Sequence, residues 1–150
     1  MHRRRTVSSL LSAVLAAGIV LAAAVGASGT THTAVSASKS VTVNGVVYAH
    51  SAKISTDTGG HYAVAHTNLG ASTTVPSGWL GTYPRLWSSS GTIVKTVGYS
   101  YSSRAATSWS STVVHQSQKA GSFYSQGCVQ VWNGKGYNTY CTERSPNQNA

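Results

Sequence analysis

The chain has 150 residues, of which 41% are hydrophobic and 9% charged, and its 11 Lys and Arg stand against two Asp and Glu, for a formal net charge of +9. Two carboxylates are too few for the usual glycosidase mechanism, which needs a matched acid pair at one bond, so composition disfavours that class of enzyme. The basic residues beyond the first few positions are scattered, without the runs typical of nucleic-acid contact, so we expect no specific nucleic-acid partner.

The N-terminal stretch predicts a secretory signal peptide. Three consecutive arginines precede an almost wholly apolar run from Leu10 to Val25, which is shorter than the roughly 20 residues of a membrane-spanning helix. Small residues at the −3 and −1 positions allow cleavage after Ala27 or after Ala37, and Ala37 is favoured. An uncleaved membrane anchor is the alternative.

Removal of residues 1–37 leaves residues 38–150, the size of one domain. This part carries eight Lys and Arg against two Asp and Glu, so it is also basic. The C-terminal end is polar and has no hydrophobic sorting tail, which predicts a secreted, extracellular product with no membrane attachment after signal removal.

The first part of the secreted domain predicts a hairpin that leads into a long strand. Asn44-Gly45 separates two Val-rich runs, and both residues tolerate the positive φ of a tight hairpin turn. The second run continues from Val46 to Ile54 with apolar residues at alternate positions, the pattern of a half-buried strand. A Gly-containing turn at 56–60 then predicts a returning strand at 61–68.

Two histidines in these strands are candidates for a metal pair. If the turn leaves Ser55 opposite His61, then His50 faces His66 across the two strands. Two imidazoles could bind Zn²⁺ or Cu²⁺, but a stable site normally has three or four protein ligands. We therefore favour ordinary strand histidines and predict no metal site.

The middle of the domain predicts short strands joined by turns. A turn at 75–78 leads into Trp79 to Tyr83, which we expect to be an edge strand because the following Pro84 cannot donate to a ladder. A second hairpin is predicted within 85–99, and a further strand with alternating polarity at 109–115.

The C-terminal segment predicts a hairpin that carries a disulfide. Its two strand-like runs flank 133–136, Asn-Gly-Lys-Gly, which is a strong turn signal. Trp132 then lies opposite Tyr137, and the same register puts Cys128 opposite Cys141. Directly opposed Cα atoms lie about 4.5–5.5 Å apart, within the range that a disulfide spans, so we predict the bond Cys128–Cys141.

No helical period persists in the secreted domain, whereas short runs rich in Val, Thr, Tyr and Trp alternate with turn signals. This pattern predicts an all-β fold. We expect a single small antiparallel β-sandwich or barrel with a disulfide-stapled C-terminal hairpin.

No group of catalytic residues is evident. Asp57 lies in a predicted turn and Glu143 near the C-terminus, and the chain has no G-x-S-x-G motif. Cysteine catalysis is excluded if the disulfide forms. We therefore expect a protein that is not an enzyme and that has no catalytic residue and no cofactor.

The aromatic residues are the remaining lead, because four Trp and eight Tyr exceed what a core of this size can bury. If the valine face of the C-terminal hairpin is core, Trp132 and Tyr137 lie on its outer face near the turn. We take Trp132, Tyr137, Trp87 and Trp79 as candidate binding residues. The alternative is that Trp132 and Tyr137 form a cross-strand pair that only stabilises the hairpin, by about 0.5–1 kcal/mol.

With its arginine start, Ala-rich signal, low charge, Ser/Thr/Gly richness and single cystine, the chain resembles small secreted proteins of actinobacteria. Among these it is similar in size and layout to the adaptor subunit of umbrella toxin particles, which links a lectin-bearing subunit to the toxin-bearing one. The resemblance implies a non-catalytic binding or adaptor module that engages a protein partner in an extracellular assembly.

Other functions fit the same residues. A carbohydrate or cell-wall binding module is the main alternative, because exposed Trp and Tyr can stack on sugar rings. A secreted inhibitor or an antibacterial toxin is a further alternative. The sequence leaves open the binding face and the oligomeric state.

Overall fold

A computed structural model describes residues 29–150, and over these residues the chain is built from thirteen antiparallel strands without a helix. Within this range no helix is long and apolar enough to cross a bilayer. The all-β prediction is confirmed. The strands are Thr31–Val35 (β1), Lys39–Val43 (β2), Val46–Asp57 (β3), Tyr62–Val75 (β4), Leu80–Tyr83 (β5), Arg85–Ser88 (β6), Ile93–Thr96 (β7), Ser100–Tyr101 (β8), Ala106–Gln116 (β9), Ser122–Ser125 (β10), Cys128–Trp132 (β11), Tyr137–Cys141 (β12) and Gln148–Asn149 (β13).

The first layer of the fold, which we call the long-stranded layer, is one sheet in the order β1-β3-β4-β9, with β2 also paired to β3. Its three longest strands, β3, β4 and the edge strand β9, have 12, 14 and 11 residues. The predicted hairpin between β2 and β3 is confirmed: Asn44 and Gly45 have φ of 51° and 78°, and Val43 lies opposite Val46. Both turn residues adopt the left-handed conformation that a two-residue hairpin loop requires.

The second layer, which we call the short-stranded layer, consists of two four-stranded sheets in the orders β12-β11-β5-β8 and β13-β10-β6-β7. Its strands have two to five residues. The chain passes directly from one of these sheets to the other at Pro84 between β5 and β6, at Gln126-Gly127 between β10 and β11, and in the longer connections between β7 and β8 and between β12 and β13. A Cβ atom at Gly127 would overlap Thr67 Oγ1 and the Tyr83 carbonyl oxygen, so only glycine lets this crossing lie close to β4.

Two hydrophobic clusters lie between the layers. The cluster under the β5/β11 sheet includes Tyr48, Leu69, Val129 and Val131, and the cluster under the β6/β10 sheet includes Ile54, Leu86 and Phe123. The layers therefore form an open sandwich, and the sheets do not close into a barrel within the described residues. The valine face of the C-terminal hairpin belongs to the core, as predicted.

The predicted disulfide is confirmed. Cys128 and Cys141 are directly opposed in the β11/β12 ladder and are bonded, with Trp132 opposite Tyr137 in the same register. The loop between the two strands consists of residues 133–136, as predicted, and this loop fixes the register of every opposed pair in the hairpin.

The predicted edge position of Trp79 to Tyr83 is wrong. Residues Leu80–Tyr83 form β5, which pairs with β11 on one side and with β8 on the other. Pro84 lies between two strands and outside both ladders, so its missing N–H does not bear on the position of β5.

The proposed pairing of His50 with His66 is also wrong. Strand β3 continues to Asp57, which lies opposite Tyr62, so His50 lies opposite Leu69 and His66 opposite Lys53. The turn is shorter than predicted because His61 adopts a φ of 52°, which is uncommon for a residue other than glycine. The three-residue shift in register is odd, so the two histidines point to opposite faces of the sheet.

The predicted signal peptide, residues 1–37, lies largely outside the described residues, as does the cleavage site after Ala27. The described part does contain β1, which ends two residues before Ala37 and pairs with β3 from Lys53 to Asp57. Ser36 extends this pairing, since its hydroxyl accepts a 2.9 Å hydrogen bond from the Ala52 amide. Cleavage after Ala37 would remove β1 and Ser36, whereas cleavage after Ala27 would retain them.

Candidate functional site

The outer face of the short-stranded layer carries a continuous row of aromatic side chains, which we call the aromatic ribbon. Successive rings in this row contact each other or share a guanidinium group. Their strands are neighbours in the two small sheets, so residues far apart in sequence become adjacent on one surface. The ribbon consists of Trp132, Tyr137, Tyr101, Tyr99, Tyr83, Trp87 and Tyr124.

One half of the ribbon lies on the β12-β11-β5-β8 sheet. Trp132 packs edge-on against the opposed Tyr137 with ring centroids 5.1 Å apart, and Tyr137 packs against Tyr101 at 5.0 Å. Tyr101 in turn contacts Tyr99 at 6.0 Å, and Tyr99 contacts Tyr83 at 5.0 Å. These separations fall in the range of favourable aromatic pairs.

Arg85 joins this half to the second. Its guanidinium carbon lies 5.4 Å from the Tyr83 ring centroid and 5.6 Å from the Trp87 ring centroid. Trp87 stacks on the opposed Tyr124 at 5.9 Å with 5° between the ring planes, and the Arg144 guanidinium covers Tyr124 at 3.7 Å. The ribbon therefore ends under a second arginine, and both arginines are within cation–π distance of its rings.

Gly81 explains how Tyr101 reaches the middle of the ribbon. The two residues are opposed in the β5/β8 ladder, and a Cβ at Gly81 would lie 2.7 Å from an atom of the Tyr101 ring. The absence of a side chain therefore lets the tyrosine lie flat across β5. Two residues of β11 and β12 hold it there through a chain of hydrogen bonds: the Tyr101 hydroxyl donates to Gln130, whose amide donates to Thr139.

Two phenols of the ribbon, those of Tyr99 and Tyr101, have a raised pKa and are neutral donors and acceptors at physiological pH. Burial raises the pKa of Tyr99, against smaller opposing effects of the Thr139 hydroxyl and the Arg85 charge. Burial likewise raises the pKa of Tyr101, with smaller contributions from Tyr137 and Tyr99. The Tyr137 hydroxyl donates a 2.7 Å hydrogen bond to the Gly78 carbonyl, which fixes that ring at the rim of the sheet.

Three of the four residues predicted to bind lie in the ribbon: Trp132, Tyr137 and Trp87. Trp79 is instead partly buried against the core cluster under β5 and β11, and its carbonyl accepts from the Trp132 amide. The sequence interpretation did not single out Tyr83, Tyr99 and Tyr101, although all three belong to the surplus of tyrosines. Their assembly depends on the β5/β8 and β5/β11 pairings, for which local sequence gives no signal.

Both carboxylates of the described residues have structural contacts. Asp57 Oδ1 accepts a 3.0 Å hydrogen bond from the Gly59 amide in the β3/β4 turn, and Glu143 forms an ion pair with Lys39. Residues 29–150 contain no group of three or more His, Cys, Asp and Glu placed to hold a metal ion.

A separate surface feature is a depression lined by residues of β4 and β9. It has a volume of about 490 Å³ and opens where the β4/β9 ladder is interrupted by a shift in register. Polar residues line it together with Trp109, whose indole N–H donates to the Ser100 carbonyl at 3.0 Å. The other lining residues are Asn68, Leu69, Gly70, Ser108 and Ser110.

No protein-family model matches the chain, and the searches found neither a curated protein nor a solved structure with significant similarity to it.

Proposed function

We propose that the protein is a secreted, non-catalytic binding or adaptor module that engages a protein partner in an extracellular assembly through the aromatic ribbon. The observation that carries this proposal is the ribbon itself, a connected row of seven Trp and Tyr rings with two arginines on one face of a small domain. Tyr101 and Tyr137 are its most exposed rings, whereas Tyr124 is buried beneath Arg144. Trp, Tyr and Arg are the residue types that dominate binding energy at protein interfaces.

The arrangement of the rings favours a protein over a sugar as the ligand. A sugar stacks on an open ring face, but along the ribbon neighbouring rings pack against one another at 5.0–6.0 Å. What they present outward is a mixture of apolar edges and hydroxyl groups, which suits the apolar and polar atoms of a protein surface.

Secretion and the lack of catalysis are parts of the same proposal. A disulfide in a small domain is typical of proteins that fold in an oxidising compartment, and the N-terminal sequence has the features of an export signal. The two carboxylates have contacts within the fold, which favours a surface that binds over one that reacts. The resemblance to the adaptor subunit of umbrella toxin particles points in the same direction.

The test uses two tyrosines of equal exposure. Tyr137 in the ribbon and Tyr62 at the start of β4 are each 40% exposed. The immobilised wild-type protein, Tyr137→Ser and Tyr62→Ser are each incubated with the secreted proteins of the source organism, and a retained protein is identified, purified and titrated against all three. Thermal unfolding of each variant checks that it is folded.

We expect a protein that binds the wild type and Tyr62→Ser with the same Kd and Tyr137→Ser about 30-fold more weakly, which corresponds to the roughly 2 kcal/mol of an interface hot spot. Equal affinity for all three would place the binding surface elsewhere. Retention of no protein by the wild type would contradict the proposal.

The depression around Trp109 favours one second candidate, a carbohydrate or cell-wall binding module. Its lining combines an indole with an asparagine and serines, the residue types that bind sugar hydroxyls. In that case the wild type sediments with chitin, cellulose or peptidoglycan and Asn68→Ala does not. Failure of the wild type to sediment with any of the three would reject this candidate.

A further inference from the structure

Arg85 occupies an unusual position within the aromatic ribbon. It begins β6 directly after Pro84, at the point where the chain passes from one small sheet to the other. Tyr83 and Trp87 lie two residues before and after it, and their ring centroids are 5.4 Å and 5.6 Å from its guanidinium carbon. The group is therefore positioned before any ligand arrives, which lowers the entropy lost on binding.

The donors of this guanidinium are poorly satisfied within the described residues. Its Nη2 donates to the Cys128 sulfur at 2.8 Å and lies 3.8 Å from the Cys141 sulfur, and a sulfur is a weak acceptor. Its Nε is buried without a hydrogen-bond partner. The ion pair found within residues 29–150 joins Lys39 to Glu143, so the Arg85 charge has no carboxylate partner there. Arginine is matched to carboxylates in both charge and planar geometry.

The charge of the whole domain points to the same class of ligand. Residues 29–150 contain eight Lys and Arg against two Asp and Glu, and Glu143 is already paired. At the far end of the ribbon, Arg144 lies over Tyr124 and donates to the Asn147 side chain at 2.6 Å. An acidic partner surface would be attracted to this face and would find a fixed arginine among apolar rings.

Resting on the proposed function, we propose that Arg85 is the anchor of the ribbon for an aspartate or glutamate carboxylate in an acidic, partly apolar segment of the protein partner. The carboxylate accepts from the outer Nη groups of the guanidinium, and the apolar neighbours of that acidic residue pack on the adjoining rings. The Arg85 Nη2 group contacts both sulfur atoms of the Cys128–Cys141 disulfide, so the oxidised hairpin is part of the site.

The test uses random 12-residue peptides displayed on phage and selected on the full secreted protein. The peptides are then synthesised with each acidic residue in turn changed to its amide. Their Kd values are measured for the wild type, Arg85→Gln, Arg85→Lys and Tyr137→Ser. Lys135→Gln is the charge-matched control, because Lys135 is an exposed lysine in the β11/β12 turn and is not part of the Arg85 site.

We expect the selected peptides to share one Asp or Glu beside apolar residues. Arg85→Gln and the matching Glu→Gln change in the peptide each weaken binding about 30-fold, and the two together weaken it no further. Arg85→Lys weakens it about tenfold because the planar pair of donors is lost, and Lys135→Gln weakens it less than threefold. The peptide change tests the anchor without altering the fold of the protein.

Peptides that lose affinity for Tyr137→Ser but contain no required acid, or that bind Arg85→Gln as tightly as the wild type, would overturn the anchor and leave the ribbon as a binding surface. If none of the selected peptides loses affinity for Tyr137→Ser, that result would count against the proposed function itself. Binding of alginate, a polymer of uronic acids, that depends on Arg85 in the absence of any such peptide would overturn the assignment to a protein segment.

Discussion

The two layers of the sandwich use the same strand alternation but present different outer surfaces. The outer face of the long-stranded layer combines polar residues such as Ser110 and Thr112 with single exposed apolar residues, which are Val47, Tyr62 and Val114 on its three longest strands. The short-stranded layer exposes Trp, Tyr and Arg. The apolar side chains of the long-stranded layer are isolated from one another by polar residues, whereas the aromatic rings of the short-stranded layer contact each other in one row, which is why we assign the binding role to that row.

The layers also differ in how they are held together. The long-stranded layer has ladders of ten opposed pairs between β3 and β4 and between β4 and β9, whereas the short-stranded layer has ladders of two to five. Short ladders give little stability by themselves. The chain's two cysteines lie in the short-stranded layer, where the disulfide closes the hairpin that carries Trp132 and Tyr137.

Removal of this disulfide gives the largest expected effect. Cys128→Ser combined with Cys141→Ser should lower the free energy of unfolding by about 3 kcal/mol, because the bond closes a short loop in the unfolded chain. Urea titration of the variant and of the oxidised wild type measures the difference. We also expect the Tyr and Trp of the ribbon to become more accessible, since the layer loses its covalent link. Equal stability of the two proteins would show that the ladders alone hold the layer.

Gly127→Ala tests the close approach of the two layers. The added methyl group would overlap Thr67 Oγ1 and the Tyr83 carbonyl, so β4 or the crossing must shift, at a cost of about 2 kcal/mol. Gly136→Ala is the control, because nothing lies within 4 Å of its Cβ position. Thermal unfolding should show a clear drop in Tm for the first variant and a small change for the second. Similar values for both would mean that the crossing tolerates a side chain.

The N-terminus tests whether β1 belongs to the mature long-stranded layer. A protein that begins at Ser38 lacks the five cross-strand pairs of β1 and the Ser36 contact with Ala52, so we expect it to be less stable by about 1.5 kcal/mol than one that begins at Ser28. These contacts favour cleavage after Ala27 over the Ala37 site that the sequence pattern favours, so N-terminal sequencing of the secreted protein should give Ser28. A mature chain that begins at Ser38 with undiminished stability would show that β1 is dispensable.

The two histidines with a lowered pKa both lie in the long-stranded layer, so we expect the pH dependence of stability to arise in that layer. His50 lies on the inner face of β3 and His66 on the outer face of β4; burial, reinforced by Lys39 and Lys53 respectively, lowers the pKa of each. Both are neutral in the folded and unfolded chains above the ordinary histidine pKa of about 6.5. Below it the unfolded chain binds protons first, so stability should fall as pH drops from about 6.5 towards the lowered folded pKa values.

Urea titrations between about pH 8 and pH 5 measure this slope, and His50→Gln combined with His66→Gln should flatten it. Burial moves the pKa of Tyr99 and of Tyr101 further above this range, so these two phenols of the ribbon stay neutral while stability changes. An unchanged slope in the double variant would assign the pH dependence to other groups.

The features predicted correctly from sequence are those set by a turn and the strands on either side of it. The Asn-Gly turns gave the register of two hairpins, and with it the bond between Cys128 and Cys141. The histidine pairing failed because His61 takes a positive φ, which residue type alone does not predict. The ribbon was found only in part, since Tyr101 reaches Tyr137 through two ladders whose strands are distant in sequence.

Hydroxyl-radical footprinting of the complex with the captured protein partner tests the central claim most directly, because it reports the solvent access of individual Tyr and Trp side chains. We expect oxidation of Tyr101, Tyr137 and Trp132 to fall severalfold on binding, while Tyr62, which is as exposed as Tyr137 in the free protein, is oxidised at an unchanged rate. Protection of Tyr62 with no change at Tyr101 and Tyr137 would place the partner on the long-stranded layer and contradict the account.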